Sequence, residues 1–415
     1  MLNENVMEIV LNRDNLMKAY KRVKANKGAP GVDGMSIESF MSHAKEHWPV
    51  IAEKLKTAEY QPGATRGVSI PKAQGGERIL GIPNVQDRVI QQALSQVLSP
   101  VFEAEFSDYS YGYRPMRGAH DAIRAASRYV AEGKTWVVDI DISAFFDEVN
   151  HDLLMAKISR KIRDKRVLKL IGKYLRAPME KGGQKIKRSQ GTPQGSPLSP
   201  LLANIYLNDL DKELEARGLS FCRYADDLVI FVNSERSGER ILASLTEWIA
   251  KHLKLRVNGS KSGVGRPWKG KFLGFKISKE GKIVPAQTSL EKLKTQVRMH
   301  WNAQTSVKLE TRIKEWQQYI RGWNAYFGIC QQKWIIRVLE GWIRRHIRKY
   351  FWLRWHNHRG RLNALKRLKA KPYHLKACVS VGAWRMARSP MLQTVLDKNR
   401  LRHWGLWVPS DFATM

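Results

Sequence analysis

Cysteine is scarce in this 415-residue chain, and long apolar runs are missing. The three cysteines, Cys222, Cys330 and Cys378, lie far apart without a CxxC pair, which argues against a disulfide framework and a cysteine-rich zinc site. No apolar stretch approaches the roughly 20 residues that a membrane span needs, and the first residues lack the pattern of a secretory signal. We therefore expect an intracellular, cytoplasmic protein with no membrane partner.

Acidic residues are also few, because 38 Asp and Glu face 72 Lys and Arg, for a net charge of +34. Residues 290–415 hold 26 Lys and Arg against 6 Asp and Glu. A field of this sign attracts polyanions, above all nucleic acid, and the attraction weakens with salt. A ribosome-associated or merely soluble basic protein is the alternative that charge alone leaves open.

Hydrophobic patterning predicts strands among helices in most of the chain and helices alone after about Leu290. The length suggests two or three domains, and 43% hydrophobic residues can form a core. The predicted elements are helices at 12–23 and 84–102 and strands at 67–71, 78–81, 136–142, 221–224, 228–232, 253–257 and 272–277. This order indicates an α+β body followed by a helical module.

Two pairs of carboxylates lie in or beside these strands. Asp139 and Asp141 share one face of their strand, because side chains alternate between its faces. Asp226 and Asp227 lie in a turn between two apolar strands. Carboxylate oxygens suit Mg²⁺, and two strands that offer them could hold two ions ~3.5–4 Å apart, an arrangement that assists phosphoryl transfer. A solvated strand face and an ordinary acidic turn are the structural alternatives.

Several sequence blocks occur in order along the chain. They are 71–83 (PKAQGGERILGIP), 110–115 (SYGYRP), 141–147 (DISAFFD), 191–204 (GTPQGSPLSPLLAN), 224–227 (YADD) and 272–275 (FLGF). The two acidic blocks resemble the catalytic motifs of reverse transcriptases, and the set as a whole resembles the group II intron-encoded reverse transcriptase/maturase family. A lone YxDD motif is a weak signal, whereas the ordered set is specific.

The resemblance implies an α+β fold of the right-hand polymerase type, in which fingers and an antiparallel palm sheet precede a helical thumb. Within the polymerase part, we expect fingers mainly at 61–135 and 150–195 and palm mainly at 136–149 and 196–289. The implied domains are an N-terminal extension at 1–60, fingers and palm at 61–289, a thumb/maturase (X) domain at 290–365 and a short DNA-binding region at 366–415.

The resemblance also implies a catalytic triad of Asp141, Asp226 and Asp227 that binds two Mg²⁺ ions. Ile142 is expected as an additional metal ligand. Asp139 lies on the same strand face and is expected to support the site from outside the ligand set.

Five further residues are implied to bind the incoming dNTP. Phe146 lies five positions after the first catalytic Asp, where the family has an aromatic gate that stacks under deoxyribose and excludes a 2′-hydroxyl. Lys72 and Arg78 occupy the hairpin that grips the triphosphate in the family, and their charges suit phosphate oxygens. Gln194 is implied beside the nascent base pair, and Lys261 matches another lysine near the active site. Core packing, solvated charges and a Pro-rich turn are the structural alternatives.

The basic helical end is implied to grip RNA and primer–template. Four basic residues fall on one arc of a predicted helix, and tryptophans interleave with them, which suits structured RNA and unstacked bases. A solvated basic face is the usual alternative. The residues predicted to contact RNA or DNA are Arg114, Arg344, Arg345, Arg348, Lys349, Lys366 and Arg367.

The implied function is RNA-directed DNA synthesis with two Mg²⁺ ions, together with binding of group II intron RNA for splicing and intron mobility. The implied partners are intron RNA, an RNA-template/DNA-primer duplex, a DNA target and dNTPs, in a nucleoid- or RNP-associated bacterial protein whose oligomeric state the sequence does not indicate. The alternatives are an RNA-binding maturase with an inactive polymerase site, and a related reverse transcriptase of phage defence or diversity generation.

We expect no endonuclease domain and no target cleavage, because no CxxC pair follows Cys378. The run His356-Asn357-His358 is interpreted as loop or helix-end polarity rather than a nuclease motif.

Overall fold

The computed structural model describes residues 5–71, 75–372 and 381–414. It forms two compact units, residues 1–266 (the N-terminal unit) and residues 267–415 (the C-terminal unit). Strands lie among helices in the first unit and helices dominate the second, so the predicted α+β class is confirmed. In the described residues, no helix is both long and apolar enough to cross a membrane.

Ten helices are described in the N-terminal unit. The fourth begins after Asn84, as predicted, and most of its first three turns are buried. The helices are α1 Val6–Leu11, α2 Arg13–Ala25, α3 Phe40–Lys56, α4 Val85–Glu103, α5 Ala119–Ala131, α6 Phe145–Glu148, α7 His151–Ser159, α8 Lys165–Arg176, α9 Ser199–Ala216 and α10 Glu235–Trp248.

Two sheets are described in the same unit. The first has the strand order β2-β1-β4-β5 and contains the predicted hairpin, in which Pro71 pairs with Glu77. The second has the order β6-β7-β3-β8, with antiparallel neighbours throughout. The strands are β1 Thr65–Pro71, β2 Glu77–Ile82, β3 Trp136–Asp141, β4 Met179–Lys181, β5 Gln184–Ile186, β6 Ser220–Tyr224, β7 Asp227–Val232 and β8 Gly263–Gly265.

Alternation along β3 and β7 separates an apolar face from a polar one. Val138 pairs with Ile230 and Ile140 pairs with Leu228, and all four side chains are fully buried. Because strand neighbours point to opposite faces, the aspartates of β3 face away from this core. The core therefore fixes the register that positions the acidic residues.

The predicted strand at 253–257 is wrong. A π-helical turn covers Ile249–Leu253, Lys254 follows with φ +53°, and Val257 forms only an isolated bridge with Ile142. Leu253 and Leu255 are fully buried, so the alternating pattern reflects burial without a strand ladder.

The predicted strand at 272–277 is shorter than expected. Leu273 and Gly274 have φ values of +50° and +78° and form a tight turn, so the strand begins only at Phe275. The elements of the C-terminal unit are β9 Phe275–Ile277, β10 Ile283–Pro285, α11 Gln287–His300, α12 Leu309–Phe327, α13 Lys333–Arg354, α14 His358–Arg367, α15 Ala383–Ala387, α16 Pro390–Val395, α17 Lys398–His403 and a 3₁₀ segment Pro409–Thr414.

The β9–β10 hairpin belongs to the C-terminal unit, although the sequence predicts a boundary at 289/290. The hydroxyl of Tyr326 donates to the carbonyl of Leu273 at 2.9 Å, and the rings of Phe275 and Phe327 lie 5.0 Å apart. These contacts join the hairpin to α12, which explains why the compact unit begins at Pro267. Asn357 caps α14 by accepting from the backbone N–H of Gly360, as expected of helix-end polarity.

Candidate active site

The acidic residues of two strands meet at one end of the β6-β7-β3-β8 sheet. Asp141, the last residue of β3, lies directly opposite Asp227, the first residue of β7. Directly opposed residues of antiparallel strands project from the same face. Asp226 precedes Asp227 in the turn, and Asp139 lies on the same face two residues before Asp141. The structure thus brings both predicted acidic pairs to one end of the sheet, which we call the acidic edge.

Two alanines hold the loops beside these aspartates in left-handed conformations. Ala144 has φ +43° and Ala225 has φ +58°. Such conformations cost about 1–2 kcal/mol each and persist where the surrounding structure determines them. Gly112 supplies part of that structure, because a Cβ added to it would lie 2.4 Å from the backbone nitrogen of Ala225.

A buried arginine braces the same turn from inside the protein. Arg223 is 1% exposed and forms a two-pronged ion pair with the fully buried Asp211, at 2.6 and 2.5 Å. Arg223 also donates to the carbonyl of Ala225 at 2.9 Å and to the side chain of Asn204 at 3.0 Å. Asn204 in turn donates to the carbonyl of Gly112 at 2.9 Å. This network joins the YADD turn to the segment that contains Gly112.

Asp211 and Arg223 are site residues that the sequence analysis does not predict. The available signal was a charged residue inside the otherwise apolar strand β6, since an arginine buried in a sheet needs a carboxylate partner.

The carboxylates are electrostatically coupled to one another and to nearby cations. Burial raises the pKa of Asp226, the negative charge of Asp141 acts in the same direction, and the charge of Arg78 opposes it. The ammonium group of Lys261 lies 3.9 Å from Asp141, so the predicted Lys261 is beside the acidic edge. The hydroxyl of Ser262 accepts from the backbone N–H of Asp141 at 2.9 Å, which fixes the end of β3.

The acidic residues offer only part of the ligand set of a divalent metal. Among the residues that the structure describes, no three Asp, Glu, His or Cys side chains form a ready-made metal cage. Mg²⁺ in phosphate-transferring sites commonly uses one or two carboxylates and completes its ligand set with waters and substrate phosphates. The facing carboxylates of Asp141 and Asp227, with Asp226 beside them, fit that incomplete type of site. The apolar side chain of Ile142 leaves only its main-chain carbonyl as a ligand.

Three of the five predicted nucleotide-binding residues line one cavity of about 620 Å³. Arg78 from β2 donates to the side-chain oxygen of Gln194, and the backbone N–H of Gly81 donates to the carbonyl of Gln194 at 2.9 Å. Phe146 lies on the same cavity, buried and with its ring 5.1 Å from Phe145. Of the other two, Lys261 borders Asp141, and Lys72 lies outside the described residues.

The loop that carries Gln194 is tied to the Phe146 segment. The backbone N–H of Thr192 donates to the carbonyl of Phe146 at 2.6 Å. Gly191 has φ +82°, and a Cβ there would lie 2.7 Å from the carbonyl of Asp147. Helix α9 begins at Ser199, whose hydroxyl donates to the carbonyl of Pro193 and does not cap the helix.

Arg114 does not occupy a nucleic-acid surface, which corrects one prediction. It is 8% exposed, pairs with Glu103 at 2.7 Å and donates to the carbonyls of Ser107 and Ser110. Its guanidinium therefore satisfies a buried turn and is not available to RNA or DNA.

The predicted basic arc of α13 is divided by packing, which is a second correction. Arg344 and Arg348 are buried, and Arg348 donates to the carbonyl of Leu396 at 3.0 Å. Arg345 is exposed, and the ammonium group of Lys349 lies 4.6 Å from the centroid of the Trp384 ring. Adjacent residues of the predicted arc therefore differ in burial, since Arg344 is buried and Arg345 is exposed. Lys366 and Arg367 are exposed in the last turn of α14.

Comparison with protein families identifies two matching regions. Residues 70–277 match the family model described as reverse transcriptase (RNA-dependent DNA polymerase). Residues 290–368 match the model described as group II intron, maturase-specific domain.

Comparison with individual proteins gives consistent results. Protein YkfC of Escherichia coli K12 is 32% identical over 315 residues, which are 66% of this chain and 83% of YkfC. Group II intron-encoded protein LtrA of Lactococcus lactis subsp. cremoris is 35% identical over 234 residues, which are 54% of this chain but only 39% of LtrA. A chain of a partial Cas6-RT-Cas1–Cas2 complex has 25% identity and a TM-score of 0.39, covering 60% of this chain and 44% of that one.

The extent of these matches decides the family. The reverse transcriptase model covers half of the chain, the maturase-specific model follows it in order, and the relatives include intron-encoded proteins. This chain therefore belongs to the reverse transcriptase family, in the branch of group II intron-encoded reverse transcriptase/maturases.

Proposed function

We propose that this protein is an RNA-directed DNA polymerase that extends a DNA primer on an RNA template, and that it also binds group II intron RNA to assist splicing and intron mobility. The observation that carries the proposal is the acidic edge where Asp141 opposes Asp227, with Asp226 in the turn that Arg223 braces. Membership in a family of RNA-dependent DNA polymerases supports the reaction type.

The proposed reaction is attack of the primer 3′-hydroxyl on the α-phosphate of a dNTP, which forms the new phosphodiester bond and releases pyrophosphate. Two Mg²⁺ ions held by Asp141, Asp226 and Asp227 would lower the pKa of the attacking hydroxyl and offset charge on the leaving oxygens. The protein contributes rigid placement of these carboxylates, since the turn that carries Asp226 is fixed by Arg223. Asp226 must be ionised to hold a cation, and a bound divalent ion would favour that ionised form.

The cavity provides the proposed binding site for the nucleotide. Arg78 would bind phosphate oxygens, because a guanidinium forms paired charge-assisted hydrogen bonds with them. In the present structure, its Nε donates to Gln194, so a bound triphosphate would compete with Gln194 for this group. Phe146 would contact the sugar, where its bulk would exclude a 2′-hydroxyl.

The proposed RNA interface is narrower than the sequence predicts. Arg345, Lys366 and Arg367 combine positive charge with exposure in the C-terminal unit. Lys349 remains a candidate through its contact with Trp384, because a cation beside an exposed indole can bind phosphate and base together. The same basic residues would bind the DNA target.

Primer extension on poly(rA)/oligo(dT) with Mg²⁺ tests the polymerase proposal. We expect the unmodified protein to incorporate dTTP, and Asp226→Asn to abolish incorporation while RNA binding in a filter assay stays unchanged. Asp152→Asn is a matched control, because Asp152 is exposed in the first turn of α7. If the Asp226→Asn protein retained incorporation, the site assignment would be wrong. An unmodified protein that binds RNA without extending the primer would support the inactive-maturase alternative.

A further inference from the structure

We propose that Tyr113 is a further specificity-determining residue of the nucleotide cavity, whose ring contacts the nucleoside part of the incoming nucleotide as a second aromatic wall beside Phe146. This inference rests on the polymerase function proposed above. It concerns a residue outside the predicted set, in the SYGYRP block whose arginine is structural.

Tyr113 lies on the nucleotide cavity, close to the YADD turn. Tyr113 lines the same cavity as Arg78, Phe146 and Gln194. Its side chain is 51% exposed, although the residue is large and aromatic. Its ring centroid lies 6.4 Å from that of Tyr224, the first residue of the YADD turn. An exposed ring between the triphosphate-binding arginine and the acidic turn is suited to contact a bound nucleotide.

The backbone of Tyr113 is strained. Its φ is +59°, a left-handed conformation that a bulky residue rarely adopts. Glycine would adopt this conformation without strain. Strained residues of this kind cluster at ligand-binding sites, where the surrounding structure holds them in place.

The surroundings of Tyr113 do hold it in place. The N–H of Tyr111 donates to the carbonyl of Arg223 at 2.8 Å, and Gly112 contacts the backbone of Ala225 closely. On the other side, Arg114 is anchored by Glu103 and two backbone carbonyls. Because both neighbours are fixed, the ring is presented to the cavity as a rigid wall.

Met116 shows that a left-handed backbone alone does not define such a site. It has φ +57° in the same segment, but its side chain is 100% exposed and it is not among the residues that line the cavity. Met116 is therefore a matched control for strain without the proposed contact.

The chemistry of the tyrosine fits a nucleoside more closely than a phosphate. Burial raises the pKa of Tyr113, and the charge of Asp226 acts in the same direction, so the hydroxyl stays neutral near pH 7. A neutral aromatic ring offers a flat apolar face to a sugar or base and adds no charge to the acidic edge.

Steady-state primer extension on poly(rA)/oligo(dT) tests the inference, with KM measured separately for dTTP and for the primer–template. We expect Tyr113→Ala to raise the KM for dTTP about tenfold, since a base–aromatic contact contributes this order of affinity. Tyr113→Phe should stay within about twofold because it keeps the ring. Tyr113→Gly should show the same kinetic defect as Tyr113→Ala while unfolding at the same or a higher temperature, because it removes the ring and the strain together. Met116→Ala should match the unmodified protein.

Three results would overturn the inference while leaving the polymerase proposal intact. An unchanged KM for dTTP in Tyr113→Ala would exclude the contact. A rise confined to the KM for primer–template would assign the ring to the primer. Full activity of Tyr113→Gly with loss in Tyr113→Ala would assign the effect to backbone strain. Failure of the unmodified protein to extend the primer would instead refute the proposed function itself.

Discussion

The buried pair of Arg223 and Asp211 gives the strongest quantitative prediction. Replacing Arg223 by Met leaves the carboxylate of Asp211 fully buried without its partner, and replacing Asp211 by Leu strands the guanidinium in the same way. Removing one member of a buried ion pair typically costs about 3–5 kcal/mol. Arg223→Met also removes hydrogen bonds to Ala225 and Asn204, each worth about 1 kcal/mol.

The double variant Arg223→Met/Asp211→Leu should be less damaging than the sum of the single changes. Apolar side chains of similar volume can replace a buried ion pair with little loss of stability. Its remaining deficit, about 2 kcal/mol, would come from the unpaired carbonyl of Ala225 and side chain of Asn204. The double variant should therefore fold, yet extend primers poorly, because the turn before Asp226 has lost its brace.

The two single variants and the double variant form a double-mutant cycle. Hydrogen exchange of the amides in β6 and β7 measures the local stability of each variant, and primer extension measures its activity. We expect a coupling free energy of several kcal/mol between the two positions. The reasoning would be refuted if each single variant lost less than about 1 kcal/mol of stability, or if the stability lost by the double variant equalled the sum of the two single losses. A stable double variant with normal extension would show that the brace does not position the turn.

Three further predictions concern other parts of the chain. Phe146→Ala should raise rUTP use relative to dTTP by at least about tenfold, measured as the ratio of kcat/KM values, and an unchanged ratio would count against the gate. Arg345→Ala should weaken RNA binding and reduce the salt slope by about one in filter assays, whereas Arg344→Ala should chiefly lower the unfolding temperature; the reverse pattern would contradict the assignment. Burial raises the pKa of Asp87 to about 6, although Tyr60 donates a hydrogen bond to it, so the folded state binds this proton more tightly than the unfolded chain does. Relative to Asp87→Asn, the free energy of unfolding should therefore fall by up to about 1.4 kcal/mol per pH unit as the pH rises from 4 to 6. Urea unfolding measures this difference, and a difference that does not change with pH would exclude the linkage.

The acidic edge could be predicted from the sequence because its determinants are local. Alternation placed Asp139 and Asp141 on one strand face, and apolar flanks placed Asp226 and Asp227 in a turn. The register that brings Asp141 opposite Asp227 follows from burial of the alternate residues. Roles of these residues in catalysis stay predictions, as do those of Arg78, Phe146 and Gln194.

The burial of charged residues could not be predicted in the same way. Arg114 is buried because Glu103 and two nearby backbone carbonyls satisfy its guanidinium, and Arg348 because it donates to the carbonyl of Leu396. Helical periodicity assigned Arg344 and Arg345 to one arc, but it contains no information on where neighbouring helices pack. The way the chain packs in three dimensions therefore decides which basic side chains remain accessible.

The attachment of the β9–β10 hairpin to α12 has a practical consequence for protein production. A polymerase fragment that ends at the family-model boundary near residue 277 would retain Phe275 but lose the rings of Tyr326 and Phe327. That fragment would expose an apolar strand edge prone to aggregation. Ending the fragment at Arg266 avoids the exposed edge. The stop codon of an expression fragment should therefore follow Arg266, where the compact unit ends, and not residue 277, where the family match ends.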